Sequence, residues 1–189
     1  MIFSTHPLHP EVTADLQALG PLRFASAPTA QAISAECTGA ELIVVRAPIP
    51  SGIAAREAGL RAMVRHGAGL DMINLDEATA AGVLVANVPG ANALTVAEHV
   101  IWAAMALLRR NPQVTHDLRS AGWAAARAHA DHGRELSGRR LGILGFGNIG
   151  RTLARIAQHG FGMPVIAHTR SGSAEDGVTA VSFADLLAQ

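Results

Sequence analysis

Cysteine is almost missing from this chain: Cys37 is the only one in 189 residues. That excludes an intrachain disulfide and a cysteine-based zinc cluster. An excess of charge is missing too, because 15 basic residues meet 15 acidic ones. A chain without net charge offers no polyanion-binding surface by composition, so neither nucleic acid nor an anionic membrane is expected as a partner. Long hydrophobic runs are absent, and none approaches the length of a membrane span. The opening residues, Met1 to Pro7, hold no basic start followed by an apolar block, so no secretory signal is read and a soluble cytoplasmic protein is expected. There is no serine elbow of the G-x-S-x-G type and no G-x-x-x-x-G-K-[ST] loop, which leaves hydrolase and nucleoside triphosphatase readings without support. His129, Asp131 and His132 lie close together, but no further well-placed ligand follows and no metal site is expected.

What the chain does hold is apolar residues, 49 % of the total, enough for a sizeable core in one or two domains. Short apolar runs alternate with helical patterns over the first ninety residues. The expected strands are 1–4, 22–26, 42–46, 60–64 and 83–87, and the expected helices 12–19, 29–36, 53–57 and 75–81. Asn74 is placed to cap the last of these and Gly82 to stop it. Such alternation with short connections predicts an α/β fold with a parallel sheet covered on both faces. A helix from about Ala93 to Arg110 follows, apolar round most of its circumference, which requires burial between domains or against another chain. Asn111-Pro112 is expected to end it. A polar, alanine-rich segment from Gln113 to Glu135 leads on to a second α/β pattern. In that pattern, strands are expected at 141–144, 165–168 and 178–181, and helices at 148–159, stopped by Gly160, and from Phe183.

The most informative stretch is Gly145-Phe146-Gly147-Asn148-Ile149-Gly150, between the apolar run Leu141–Leu144 and the helical run from Arg151. Strand, glycine turn and helix in that order make a dinucleotide phosphate site. The first glycine permits the tight turn, the second lets backbone approach a pyrophosphate, and the third lets helix and strand pack closely. The helix start then offers free N–H groups and a partial positive charge. An ordinary strand-to-helix turn is the alternative. The acid that commonly binds the adenosine ribose about 20 residues further on is not found. Thr169, Arg170 and Ser171 stand at the end of the second strand, and no acid occurs between Gly150 and Glu175. A guanidinium flanked by two hydroxyls suits a ribose 2′-phosphate, so NADP(H) is expected over NAD(H). Arg170 as a solvated loop residue, or stacked on the adenine, is the alternative.

Several segments together resemble the D-isomer-specific 2-hydroxyacid dehydrogenases, a family that includes phosphoglycerate dehydrogenases, glyoxylate/hydroxypyruvate reductases and formate dehydrogenase. They are Arg65-His66-Gly67-Ala68-Gly69-Leu70-Asp71, the run Gly82 to Gly90, Asn92 through Val96-Ala97-Glu98-His99, the run Leu136 to Gly150, and Gly160-Phe161-Gly162-Met163. The resemblance implies a flavodoxin-like substrate domain with a Rossmann domain inserted into it. It also implies hydride transfer between nicotinamide and C2 of a 2-oxo acid or D-2-hydroxy acid. The Gly67-Ala68-Gly69 backbone would receive the substrate carboxylate, with a plain strand-end turn as the alternative. Asn92 matches a substrate-bonding position and is also a candidate helix cap. Val96 matches a position lining the nicotinamide. Arg46, at a strand end, is similar to an arginine that meets a distal phosphate in phosphoglycerate dehydrogenases. Arg65 is a second candidate, and a surface ion pair is the alternative for both. Glu98 and His99 read as a packing feature of the family rather than as catalytic groups.

On this reading, residues 1–93 form the N-terminal part of the substrate domain, 94–135 a linking helix and dimerisation segment, and 136–189 the first half of a Rossmann domain. The arginine, glutamate and histidine that the family uses in catalysis fall beyond Gln189, so the chain alone is expected to be inactive and is read as a fragment. A homodimer through the long helix is implied. A non-catalytic dinucleotide-binding or corepressor-like module, and an inert fragment, stay open as competing readings.

Overall fold

The computed structural model describes residues 1–174 and 177–188. The chain divides into two compact units, Met1–Ala91 and Asn92–Gln189.

The first unit holds five short parallel strands: β1 (Ile2–Ser4), β2 (Leu22–Phe24), β3 (Leu42–Val45), β4 (Ala62–Arg65) and β5 (Leu84–Ala86). Their spatial order is β2-β1-β3-β4-β5, the order of flavodoxin-like sheets. Register explains the core. Phe3 pairs with Ile43, Ile43 with Met63 and Met63 with Val85, so one row of apolar side chains shares a face. Against it pack Ile33 and Cys37 at the end of α2 (Ala30–Glu36), Ile53 of α3 (Ile53–Arg56) and Ala78 of α4 (Leu75–Ala80).

The expectation of cover on both faces needs correction. The helix α1 (Pro10–Leu19) buries no residue, and the opposite row, Ile2, Leu42, Ala62 and Leu84, lines an open hollow of about 390 Å³ beside Leu19. Leu84 is 74 % exposed. Strands and helices alternate as expected, but the contact of α1 with the sheet is chiefly with β2.

Local signals account for most helix ends. Thr29 caps α2 through Ala32 N, and Asn74 Oδ1 caps α4 through the N–H groups of Asp76 and Glu77. Gly82, at φ +69°, stops α4 as expected.

The second unit opens with α5 (Ala93–Leu108) and continues through α6 (Asn111–Ser120), α7 (Trp123–Ala128) and a 3-10 turn at His129–His132. The segment expected to be a polar lead is therefore helical. Pro112 does not simply end the long helix. It sits in the first turn of α6, where its missing N–H costs nothing. Direction changes instead at Arg110, a non-glycine residue at φ +53°. Parallel strands β6 (Leu141–Leu144), β7 (Val165–His168) and β8 (Thr179–Ala180) follow, with α8 (Asn148–Phe161) and α9 (Phe183–Ala188). Read from β8, the order is that of the first half of a dinucleotide-binding sheet. α8 runs past Gly160, and Gly162, at φ +60°, ends it. Ala97 and Ile101 on α5 join Ile143, Leu153 and Ala157 in the second core. Only that stripe of α5 is covered, while Leu94, Trp102 and Met105 lie outward, with Trp102 stacked at 5.3 Å on His99.

Candidate functional site

Two of the three motif glycines are required, Gly145 by its backbone conformation and Gly150 by its packing, while Gly147 stands in open space. Gly145 stands at φ +93°, a conformation that side chains rarely adopt. Gly147 caps α8 with no side-chain bond, and a Cβ there would meet nothing within 4 Å. Gly150 is buried. A Cβ on it would strike the Gly145 carbonyl oxygen and lie 3.2 Å from Ile143 Cγ2. The loop is tied to β7 by Gly145 N donating to His168 O at 2.9 Å, and Arg151 N to Gly147 O makes the first helical bond. Asn148, Ile149 and Gly150 belong to the first turn, whose N–H groups have no carbonyl behind them within the helix. A hollow of about 550 Å³ runs along β6, this loop and Val100. Phe146 turns inward, 7 % exposed, with the Arg151 guanidinium 5.5 Å from its ring centre. The first-turn N–H groups of α8 stand at the positive end of a 14-residue helix, where an anion is favoured.

At the end of β7 the chain turns back through Gly172 N to Thr169 O, 3.2 Å. Thr169 Oγ1 lies 3.1 Å from Ser171 Oγ and donates to Ser173 O, and Ser171 Oγ lies 3.2 Å from Ser173 Oγ. Arg170 is exposed on this turn, and no described residue pairs with it. A positive fork thus stands beside a knot of hydroxyls. Glu175, the first acid of the segment, lies outside the described residues.

In the first unit, Arg46, Arg65 and the 67–69 loop lie at the carboxyl ends of the strands. Arg46 follows β3. Its N–H donates to Thr5 Oγ1 at 2.8 Å, and its Nη1 to Pro7 O at 2.8 Å. Arg65 ends β4. Its Nη1 serves Val45 O and His66 O, and its Nε is buried without a partner. Neither arginine forms an ion pair among the described residues, so the ion-pair alternative finds no support. Gly67 N is consumed by Arg65 O at 2.8 Å. The amides of the loop left without a partner among the described residues are those of Ala68 and Gly69. In the second unit, Asn92 occupies the cap position of α5, yet its side chain makes no cap bond. Val96, on the first turn of α5, is half-buried.

Comparison with known proteins decides the lineage. Residues 101–189 match the profile "D-isomer specific 2-hydroxyacid dehydrogenase, NAD binding domain". The D-3-phosphoglycerate dehydrogenase of Methanocaldococcus jannaschii is 31 % identical over 169 residues, which cover 88 % of this chain and 32 % of that protein. The chain belongs to the D-isomer specific 2-hydroxyacid dehydrogenase family. The hydroxypyruvate reductase of Thermotoga maritima is 38 % identical over 130 residues, 68 % of this chain and 41 % of that protein. Among solved structures, the NADPH-dependent glyoxylate/hydroxypyruvate reductase of Sinorhizobium meliloti superposes with a TM-score of 0.80 at 26 % identity. That match covers 95 % of this chain and 57 % of that one. The chain therefore spans about a third of the first of these curated relatives and about three-fifths of the solved reductase.

Against this dehydrogenase background, sequence reading overlooked the groups that hold the candidates still. Thr5 is 1 % exposed and accepts from both Arg46 N and Ala47 N. Asn87 Nδ2 donates to Ala68 O at 2.7 Å and pins the 67–69 loop. Ser173 completes the hydroxyl knot. Each sits at a strand end or turn, which is a usable signal, but only the pairing of β1 with β3 and of β4 with β5 shows what Thr5 and Asn87 touch.

Proposed function

We propose that this chain serves hydride transfer between NADP(H) and a 2-oxo acid or D-2-hydroxy acid, with NADP(H) preferred over NAD(H). The cradle of Gly145, Phe146, Gly147, Asn148, Ile149 and Gly150 would hold the diphosphate, and Val96 would face the nicotinamide. When bound, the cofactor supplies or accepts the hydride. Arg170, with Thr169 and Ser171, would hold the ribose 2′-phosphate. Ala68 and Gly69 amides would orient the substrate carboxylate, and Arg46 and Arg65 an anionic substituent where the acid carries one; Asn92 would hydrogen-bond substrate from the second unit. The glutamate, histidine and arginine of family catalysis have no counterpart in these residues, so turnover is proposed for a protein that adds them. The outward row of α5 supports a homodimer.

The observation that carries the cofactor preference is Arg170, which pairs with no described residue, on a turn with three hydroxyls and no described acid. Titration of the chain with NADPH and NADH tests it. NADPH should bind more tightly, and Arg170→Ala should weaken NADPH roughly 10- to 150-fold, the worth of one hydrogen-bonded charge contact, while leaving NADH nearly unchanged. Equal or tighter NADH binding by the unmodified chain would reject the preference.

A further inference from the structure

The positive charge of this chain is unevenly spread. All 15 basic residues are arginine, and seven of them fall between Arg109 and Arg140 against three carboxylates, Asp117, Asp131 and Glu135. A chain with no net charge thus carries a local excess of four positive charges on the helical stretch before β6. The partners there are already chosen. Asp117 Oδ2 lies 2.7 Å from His129 Nε2, and Asp131 lies 3.7 Å from Arg127. Arg139 Nε donates to Glu135 O at 2.7 Å, and Arg140 is also partnered. The side chains of Arg110 and Arg134 have no hydrogen bond or ion pair among the described residues.

Those two line one hollow of about 550 Å³, with His132 and Asp131 beside them and Leu107 and Leu108 behind. Their backbones are anchored at the same corner. Arg110 N donates to Leu107 O at 3.1 Å, and Arg134 N to Leu108 O at 2.9 Å. Two like charges held at one cavity repel each other until an anion sits between them. Guanidinium forks match tetrahedral oxyanions and are less strongly hydrated than ammonium groups. Asp131 opposes an anion, and its ion pair with Arg127 offsets part of that charge. No residue lines both this hollow and the one along the glycine loop.

We propose that the hollow between the end of α5 and the turn at His129–His132 is a second anion site, which takes a phosphate-type oxyanion on Arg110 and Arg134. The test is a titration of ¹⁵N-labelled chain with sodium pyrophosphate, ionic strength held constant with sodium chloride. Amide signals of Arg110, Gly133 and Arg134 should move and saturate. The paired change Arg110→Gln with Arg134→Gln should weaken that binding at least tenfold, while Arg119→Gln, outside the hollow, leaves it unchanged. A parallel titration with adenosine 5′-monophosphate identifies the source. If it binds tighter than pyrophosphate at the same amides, the site takes a nucleotide phosphate; if weaker, a free one. Movement confined to Gly145–Gly150, or the same shifts with sodium chloride alone, overturns the proposal. Titration of the unmodified chain separates these outcomes even if the paired variant fails to fold.

Discussion

Glu57 shows how a single buried charge is made tolerable. Its side chain is 8 % exposed, accepts Gly39 N at 2.9 Å and meets Arg56 Nε at 2.9 Å. The Gly39 amide, then the Arg56 guanidinium, hold its carboxyl below the usual glutamate range against the opposing effect of burial. The same arginine reaches Cys37 Sγ at 3.2 Å, yet burial dominates there and pushes the thiol up, which leaves Cys37 a packing residue rather than a nucleophile. A lowered carboxyl pKa stabilises the fold above the unfolded value of about 4.3 and loses that contribution as pH falls through the folded one. Glu57→Gln should therefore cost about 1–3 kcal/mol at neutral pH and flatten the decline in stability below about pH 4.3. Urea melts at a series of pH values check this, and parallel curves for the two proteins would contradict it. Among the candidate site residues, identity is legible in the sequence while posture is not. Arg46 and Arg65 can be named from the sequence, but their carbonyl partners come from a neighbouring strand and the β1 loop.

At the scale of elements, α8 carries the clearest agreement between pattern and packing. Gly150, Leu153, Ala154 and Ala157 form its buried stripe, and burying Leu153 alone is worth roughly 1.5–3 kcal/mol. The glycine motif assigns Gly150 to close packing, and the blocked Cβ position is the physical form of that statement. Gly150→Ala should lower stability by about 1–3 kcal/mol through overpacking, measured by denaturant unfolding. A change within about 0.5 kcal/mol, as on an open surface, would mean the loop yields freely. The helices α6 and α7 mark where pattern reading stops. Neither has an apolar stripe. α6 buries nothing and α7 only Ala126, so periodicity has no face to detect. Pro112 reads as a terminator in the sequence because its position within a helix depends on the reversal at Arg110, which no propensity announces.

At the scale of the molecule, both units carry apolar surface that their own chain leaves open. On α5, Leu94, Trp102 and Met105 fall on one stripe and are 53 %, 61 % and 38 % exposed. Among the described residues β6 pairs with β7 alone, and its Leu144 is 66 % exposed. An unpaired edge and a greasy stripe favour association. The chain should elute as a dimer or larger species at micromolar concentration, and Trp102→Glu should shift it toward monomer. Light scattering that shows an unmodified monomer across that range would count against the outward stripe as a contact surface. No described helix is long and apolar enough to cross a membrane.

The order of apolar runs and glycines was enough by itself to define two α/β patterns, the phosphate-type turn and its place between strand and helix. These depend on neighbours in the chain, whose periodicity and backbone freedom are written in consecutive residues. Only the tertiary structure decided which sheet face stays open, and which amides of the 67–69 loop and which arginines keep no partner among the described residues. Those outcomes depend on contacts that residue order does not reveal, where a single bond, such as Gly67 N to Arg65 O or Asn87 to Ala68 O, settles what is left for a ligand.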